Sequence, residues 1–157
     1  MSTPTVYPAV IPYLTASDAG KAIEFYKKAF GATERYRLTS PDGKVGHAEI
    51  AIQGQVVMVA DEFVGMNTSP TTLGGSATTF VLMVPNADAA YNKAVAAGAE
   101  GVMPPNDAFY GYRMGLVKDP AGHKWMVQHE IEKVPHDEMQ KRWDAMAGQT
   151  CADKVPA

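Results

Sequence analysis

The sequence predicts an α+β protein in which a strand–helix–strand–strand–strand unit occurs twice and a C-terminal helix follows. Two observations lead to this prediction. The same order of apolar, helical and alternating segments appears on both sides of a Gly-, Ser-, Thr- and Pro-rich stretch at residues 63–76. Each predicted helix also ends at a glycine, Gly31 in the first unit and Gly98 in the second. We therefore expect tandem βαβββ modules that form a curled mixed sheet.

The first module is expected at residues 5–62. Its first strand is predicted at 6–14, where Pro8 and Pro12 restrict hydrogen bonding and favour an edge position. A helix follows at 19–30, because apolar residues recur on one face after a capping Ser17 or Asp18. Turn residues then separate three further predicted strands, at 32–38, 44–52 and 56–61.

Residues 63–76, which show no periodicity, are expected to be a linker, and the second module is expected at 77–131. Its predicted elements follow the same order: a strand at 77–84, a helix at 86–98, and strands at 99–104, 110–119 and 123–131.

The segment 132–157 is predicted as a helix and a disordered tail. Pro135 favours a helix start, and Met139, Trp143 and Met146 give the helix an apolar stripe. Residues 147–157 are the part predicted to be disordered.

The composition is that of a folded globular protein, with 157 residues, 46% apolar and 20% charged. A net charge of -3 argues against nucleic-acid or anionic-membrane partners. The N-terminal residues do not have the pattern of a signal peptide, and no run is long enough to cross a bilayer. A single cysteine, Cys151, excludes an intrachain disulfide. We expect a cytoplasmic location.

Several segments resemble one known family. They are AIEFYKKAFG at 22–31, GHAEI at 46–50, VVMVADE at 56–62 and DPAGHKW at 119–125. Together with the duplicated topology, they resemble the glyoxalase/bleomycin-resistance/dioxygenase superfamily, also called vicinal oxygen chelate, and its PhnB-like branch. The resemblance covers residues 6 to about 143. It implies the glyoxalase/bleomycin-resistance fold, in which the concave side of the sheet holds the site.

Metal-dependent members place His, Glu or Gln at four inward strand positions, and the resemblance puts those positions at Ile11, Met58, Thr79 and Met126. An alkyl side chain, two thioethers and a hydroxyl are not a ligand set for hard or borderline divalent ions. We therefore expect no cofactor, and a bound divalent metal is disfavoured.

Strand alternation extends the expected cavity lining beyond these positions, since every second side chain shares a face. The predicted ligand-binding residues are Ile11, Tyr13, Met58, Thr79, Val81, Tyr112, Arg113, Met126 and Gln128. Arg113 has two interpretations: bidentate recognition of an anionic group, or a lock on the neighbouring loop.

His47 and Glu49 are the candidate catalytic residues. They stand two apart on a predicted strand and therefore point to the same side. A carboxylate beside an imidazole can act as a general base or bind a ligand amine or hydroxyl. The alternative, which we favour from the sequence, is a polar pair at the solvated rim of an open sheet. The sequence also predicts that His123 holds its turn and that His129 faces the helix.

Three functions are compatible with these features. The leading one is a metal-independent homodimer that binds a small organic molecule, as bleomycin-resistance members do. The second is a metal-dependent lyase, isomerase or dioxygenase with displaced ligands from His47, Glu49, Gln128 and Glu130. The third is an interaction protein that acts through its C-terminal helix and fills the cavity with its own side chains.

Overall fold

The computed structural model describes residues 7–152 and confirms the α+β fold with two βαβββ modules. Each module contributes a four-stranded mixed sheet, and the strand orders, β1-β4-β3-β2 and β5-β8-β7-β6, are equivalent. The first and last strands of each module pair in parallel, and the other pairs are antiparallel. The two sheets stay separate, with no strand of one hydrogen-bonded to a strand of the other.

The elements of the first module are β1 (Tyr13–Ala16), α1 (Ala19–Phe30), β2 (Thr33–Thr39), β3 (Val45–Ile52) and β4 (Gln55–Asp61). The elements that follow are α2 (Pro70–Leu73), β5 (Thr79–Met83), α3 (Ala87–Ala96), β6 (Glu100–Ala108), β7 (Tyr112–Lys118), β8 (Lys124–Glu130) and α4 (His136–Ala152).

The structure differs from the sequence predictions in several details, and the strand predicted at 99–104 continues to Ala108 as β6. The first strand begins at Tyr13 rather than at residue 6. Pro12, which precedes it and has no N–H, accepts the Met58 N–H through its carbonyl oxygen. The segment 63–76 contains α2, because Pro70 suits a first helical turn and the Ser69 hydroxyl caps it. The C-terminal helix continues to Ala152, so residues 147–152 are helical; residues 153–157 lie outside the described part.

Helix α1 has the local signals that the sequence suggested. The Asp18 carboxylate accepts the Lys21 N–H at 2.9 Å, which satisfies a donor at the N-terminus. Gly31 ends the helix with a φ of 66°, a left-handed conformation that costs glycine little. The buried face, which includes Ile23 and Tyr26, packs on the first sheet and also reaches the second module.

A single buried carboxylate joins the two modules. Asp119 lies in the β7–β8 turn, and its Oδ1 accepts the backbone N–H groups of Ala121 and His123, each at 2.9 Å. Its Oδ2 accepts the Tyr26 hydroxyl of α1 at 2.6 Å and the Trp125 indole N–H at 2.8 Å. Burial, together with the neighbouring Asp119 charge, raises the pKa of Tyr26 well above its ordinary value. The hydroxyl therefore remains a donor to Asp119.

Aromatic packing surrounds this contact. The Phe30 and Trp125 rings lie 5.0 Å apart between their centroids, and Phe80 of β5 stands at the same distance from Trp125. The helices α1 and α3 pack together in the same region. His123 adds a side-chain contact across the modules, because its Nε2 lies 2.9 Å from the Thr15 carbonyl oxygen. The helix-facing sides of both sheets thus form one shared core.

No helix among the described residues is long and apolar enough to cross a membrane.

Replacing Tyr26 with Phe tests the inter-module contact. The change removes one hydrogen bond to a buried carboxylate, and we expect the free energy of unfolding to fall by about 1.5–3 kcal/mol. Chemical denaturation measures it. Tyr91→Phe is the matched control, since Tyr91 is half-buried on α3 and makes no side-chain hydrogen bond with the described residues. Equal effects of the two substitutions would contradict a special role for the Tyr26–Asp119 bond.

Candidate ligand-binding site

Strand register defines the concave face of the first sheet. Tyr13 pairs with Met58, and Met58 pairs with Glu49, so these three side chains form a row across β1, β4 and β3. Thr15 and Ala60 pair in the next row. The alternate residues, such as Leu14, Val59 and Ile50, are buried against α1 on the opposite face. The predicted cavity-facing positions Tyr13, Met58, His47 and Glu49 therefore share one surface.

Glu49 is the most unusual residue on this surface, because its carboxylate is only 1% exposed. Its Oε1 accepts the hydroxyl of Tyr7 at 2.8 Å and that of Tyr36 at 3.0 Å. The Arg35 guanidinium nitrogen Nη1 lies 3.2 Å from Oε2, within ion-pair distance. Oε2 nevertheless accepts no hydrogen bond from the described residues, since the Arg35 approach lacks the required geometry. The carboxylate thus has capacity for one more donor.

The surroundings of Glu49 keep it ionised. Burial by itself raises the pKa of the carboxyl group, but the hydrogen bonds from Tyr7 and Tyr36 and the charge of Arg35 act in the opposite direction. The net pKa of Glu49 is lowered from its ordinary value. The pKa values of Tyr7 and Tyr36 are raised, chiefly because their hydroxyls donate to this carboxylate.

His47 connects Glu49 to the open side of the sheet. Its Nδ1 lies 2.9 Å from the Tyr13 hydroxyl oxygen, and its Nε2 lies 3.8 Å from Glu49 Oε1. The Tyr13 side chain is 54% exposed, whereas Glu49 is buried. A hydroxyl, an imidazole and a carboxylate therefore follow one another from solvent into the protein.

The burial of Glu49 contradicts its interpretation as a solvated residue at the rim, whereas the His47 side chain is partly exposed. The residues share a face, as alternation predicted, but Tyr7, Tyr36 and Arg35 cover the carboxylate. Sequence reasoning missed these three residues. A bulge between Glu34 and Tyr36 shifts the register of β2 at Arg35, so that Tyr36 pairs with Glu49 on β3. Strand alternation alone does not indicate this pairing. Nothing local in the sequence indicates the position of Tyr7, which lies outside any element.

An open cavity of about 520 Å³ adjoins the Tyr13 end of this network. Its lining is mainly apolar and includes Ala60, Phe63 and Met66, with Thr15 and Asn67 as polar members. A cavity of this size is in the range of small-molecule sites. Its openness counts against the hypothesis of an interaction protein whose side chains fill the cleft.

The second sheet has a concave face of different character. Register places Val81 beside Met126 and Met83 beside Gln128, with Met114 next to Gln128 on β7. Tyr112 and Glu130 form the last pair on this face. This surface is mainly apolar and rich in methionine. The predicted residues Thr79, Val81, Tyr112, Met126 and Gln128 thus lie together, but on a different sheet from His47 and Glu49.

The prediction that Arg113 lines the ligand site was wrong. Its guanidinium donates two hydrogen bonds to the Asp88 carboxylate at the start of α3 and a third, at 2.8 Å, to Asp107. Arg113 pairs with His129, whose Nδ1 accepts the Ala87 N–H, so both face the helix. Adjacent strand residues point to opposite sides, and Tyr112 and Arg113 cannot both line one face. The helix-facing placement of His129 was correct.

The four inward positions do not fit a metal. Ile11 is half-buried before the start of β1, so Tyr13 is the residue that pairs with Met58. Val81, rather than Thr79, pairs with Met126. A two-residue shift on these strands therefore replaces Ile and Thr with Tyr and Val, and restores no ligand set. Among residues 7–152 no three His, Cys, Asp or Glu side chains are grouped to hold a metal ion.

Comparison with known proteins agrees with this architecture. A family model described as the Glyoxalase/Bleomycin resistance protein/Dioxygenase superfamily matches residues 9–127. The chain belongs to this superfamily. Its members share the fold, and the family name covers both binding proteins and enzymes, so the superfamily alone does not decide the activity.

Relatives within the superfamily are similar over most of the chain. An uncharacterized protein of Mycobacterium bovis is 42% identical over 139 residues, which cover 86% of this chain and 91% of that protein. A solved Arabidopsis thaliana gene product is 32% identical, has a TM-score of 0.60 and covers 81% and 98% of the two chains. A putative 3-demethylubiquinone-9 3-methyltransferase, PhnB protein, from Bacillus cereus has a TM-score of 0.61 at 17% identity, covering 78% and 99%, and shows the fold alone.

Replacing Glu49 with Gln tests the buried carboxylate through the pH dependence of stability. A lowered pKa in the folded state contributes stability above the ordinary value of 4.5, and this stability is lost as the pH falls through the folded pKa. We expect E49Q to be less stable than the wild type at pH 7 and to lose less stability on acidification below about 4.5. Denaturation at a series of pH values measures both effects. Glu130→Gln, at an exposed position, serves as control; a wild-type pH slope in E49Q would contradict the assignment.

Proposed function

We propose that this protein binds a small organic molecule in a concave, largely apolar cleft, without a metal, and works as a cytoplasmic homodimer. The observation that supports this proposal most directly is the polar network from Tyr13 through His47 to the buried Glu49 carboxylate, which adjoins an open, mainly apolar cavity at Tyr13. Apolar walls with a few well-placed polar groups are typical of small-molecule sites. The residues GHAEI at 46–50 and VVMVADE at 56–62 support a place in the PhnB-like branch.

The homodimer is part of the proposal because each concave face is open in the single chain. Val81 and Met83 on the second sheet are 55% and 48% exposed, and Tyr13 on the first is 54% exposed. Exposed apolar surface of this kind favours coverage by another surface. We expect the second-sheet face of one copy to close over the first-sheet face of the other, which gives two equivalent clefts.

An NMR screen of small organic molecules with chelator-treated protein tests this function. We expect hits that shift the backbone amides of Tyr13, His47 and Met58, because these residues line the concave face. Sedimentation should give about twice the 16.8 kDa mass of the chain. Elemental analysis of protein purified without chelator is the control. One stoichiometric transition metal per chain, lost in His47→Ala or Glu49→Ala, would overturn the metal-free proposal.

A proton-transfer enzyme is the second candidate function. The supporting observation is the series from the Tyr13 hydroxyl through His47 to Glu49. With the Nε2 proton of His47 directed at Glu49, Nδ1 accepts the Tyr13 hydroxyl. A proton from a bound molecule then passes to the Tyr13 oxygen as the Tyr13 proton passes to Nδ1, and Glu49 stabilises the imidazolium that forms. This candidate needs no metal, unlike a lyase, isomerase or dioxygenase with displaced ligands, for which Gln128 and Glu130 lie on the other sheet.

Substitution separates the enzyme from the binding protein once a ligand is known. If His47 is the proton acceptor, His47→Ala and Glu49→Ala should each lower turnover by about 10²-fold or more. Lys28→Ala, at an exposed position on α1, is the comparison variant. Full turnover in both His47→Ala and Glu49→Ala would exclude these catalytic roles, and unchanged ligand affinity with no turnover in the wild type would favour the binding protein.

A further inference from the structure

The Tyr7 side chain occupies a small site on the first concave face. Its hydroxyl donates to Glu49 Oε1 at 2.8 Å, and the Arg35 guanidinium carbon lies 5.7 Å from the centre of its ring. A buried anion at the hydroxyl and a cation over the ring are the two features that recognise a phenol. Both partners belong to the sheet, since Arg35 lies on β2 and Glu49 on β3.

The segment that carries Tyr7 is weakly attached. Residues 7–12 form neither helix nor strand, and the first backbone contact with the sheet is the Pro12 carbonyl, which accepts the Met58 N–H. Tyr7 is 45% exposed and Val10 is 82% exposed. Its side-chain contacts with Glu49 and Arg35 therefore hold Tyr7 in place. A segment of this kind can leave the sheet without disturbing a strand.

Glu49 also has unused capacity. Oε2 is buried and accepts no hydrogen bond from the described residues, although the other oxygen has two phenolic donors. The Arg35 contact with this oxygen is an ion pair, so Oε2 can accept a further hydrogen bond. The backbone that carries the Glu49 carboxylate is held in place, because β3 is hydrogen-bonded to β2 on one side and to β4 on the other.

We propose that the Tyr7 site is a subsite for a hydroxylated aromatic ring, in which the phenol of a bound molecule replaces Tyr7, donates to Glu49 and lies beneath Arg35. The proposal rests on the proposed function and names the chemical class of its ligand. Tyr7 is then an internal competitor that covers the subsite in the free protein and raises the ligand concentration needed to fill it.

The test uses p-cresol, which has the ring and hydroxyl of a tyrosine side chain, in NMR titrations of the full-length protein. Removing the competitor in Tyr7→Ala should tighten p-cresol binding about tenfold relative to wild type, with shifts at the same amides in both. Toluene, which lacks the hydroxyl, should bind Tyr7→Ala about tenfold more weakly than p-cresol. Val10→Ala, in the same segment, should bind p-cresol as the wild type does.

Substitution of the two recognising residues completes the test. In the Tyr7→Ala background, Glu49→Gln should weaken p-cresol binding several-fold, since a neutral acceptor makes a weaker bond, and Arg35→Met should weaken it further. If Tyr7→Ala does not fold, Tyr7→Phe replaces it, because a ring without a hydroxyl is a weaker competitor. The subsite would be overturned if p-cresol bound the wild type and the Tyr7→Ala variant with equal affinity. It would also be overturned if toluene bound Tyr7→Ala as tightly as p-cresol does.

These results are separable from those of the ligand screen. Screen hits elsewhere on the concave face, with no p-cresol effect in Tyr7→Ala, would overturn the phenol subsite and leave the proposed function intact. A p-cresol site in Tyr7→Ala and p-cresol displacement of Tyr7 in the wild type would support the subsite even if the screen gave no other hit.

Discussion

The Asp119 carboxylate is the contact on which the arrangement of the two modules depends. It stabilises its own turn through two backbone N–H groups and reaches α1 of the first module through Tyr26. A buried carboxylate is costly unless all its acceptor capacity is used, and here four donors satisfy it. Because the bonds come from both modules, the charge is fully compensated only when the modules are docked. The Asp119 turn therefore couples local folding to the assembly of the whole chain.

Docking through the helices has a direct consequence for function. The helix-facing sides of both sheets are committed to the shared core, where Phe30, Phe80 and Trp125 pack. Both concave faces are then directed away from this core, and no strand of one sheet pairs with a strand of the other. The first face presents a polar network around Glu49, and the second is mainly apolar. The two concave faces of one chain therefore differ in polarity.

Two buried carboxylates differ in the donors that their oxygens accept. Asp119 and Glu49 are both almost inaccessible to solvent. Oδ1 of Asp119 accepts two backbone N–H groups and Oδ2 accepts two side-chain donors, so both oxygens are fully used. Glu49 has phenols at one oxygen and an ion pair without a hydrogen bond at the other, and a loosely attached segment supplies one of the phenols. The donors to Asp119 thus come from its own turn, from β8 and from α1, whereas one donor to Glu49 lies outside any helix or strand.

The sequence alone determined the element order and the faces of the strands. Period-two alternation placed Met58, Val81 and Gln128 on concave faces, and capping residues placed α1 between Ala19 and Phe30. These features are local, so local chemistry is enough to predict them. The sequence also predicted that the inward positions lack a ligand set for a hard ion, although the register replaced Ile11 with Tyr13 and Thr79 with Val81.

Tertiary structure decided how those faces are used. The burial of Glu49 depends on Tyr7, which is far from it along the chain, and on Tyr36, which follows a bulge in β2. No local sequence pattern encodes such contacts. Arg113 paired with Asp88 because β7 and α3 are brought together by packing. Whether a charged side chain faces a ligand or an ion partner is a matter of distance and desolvation. Those quantities exist only once the chain has folded.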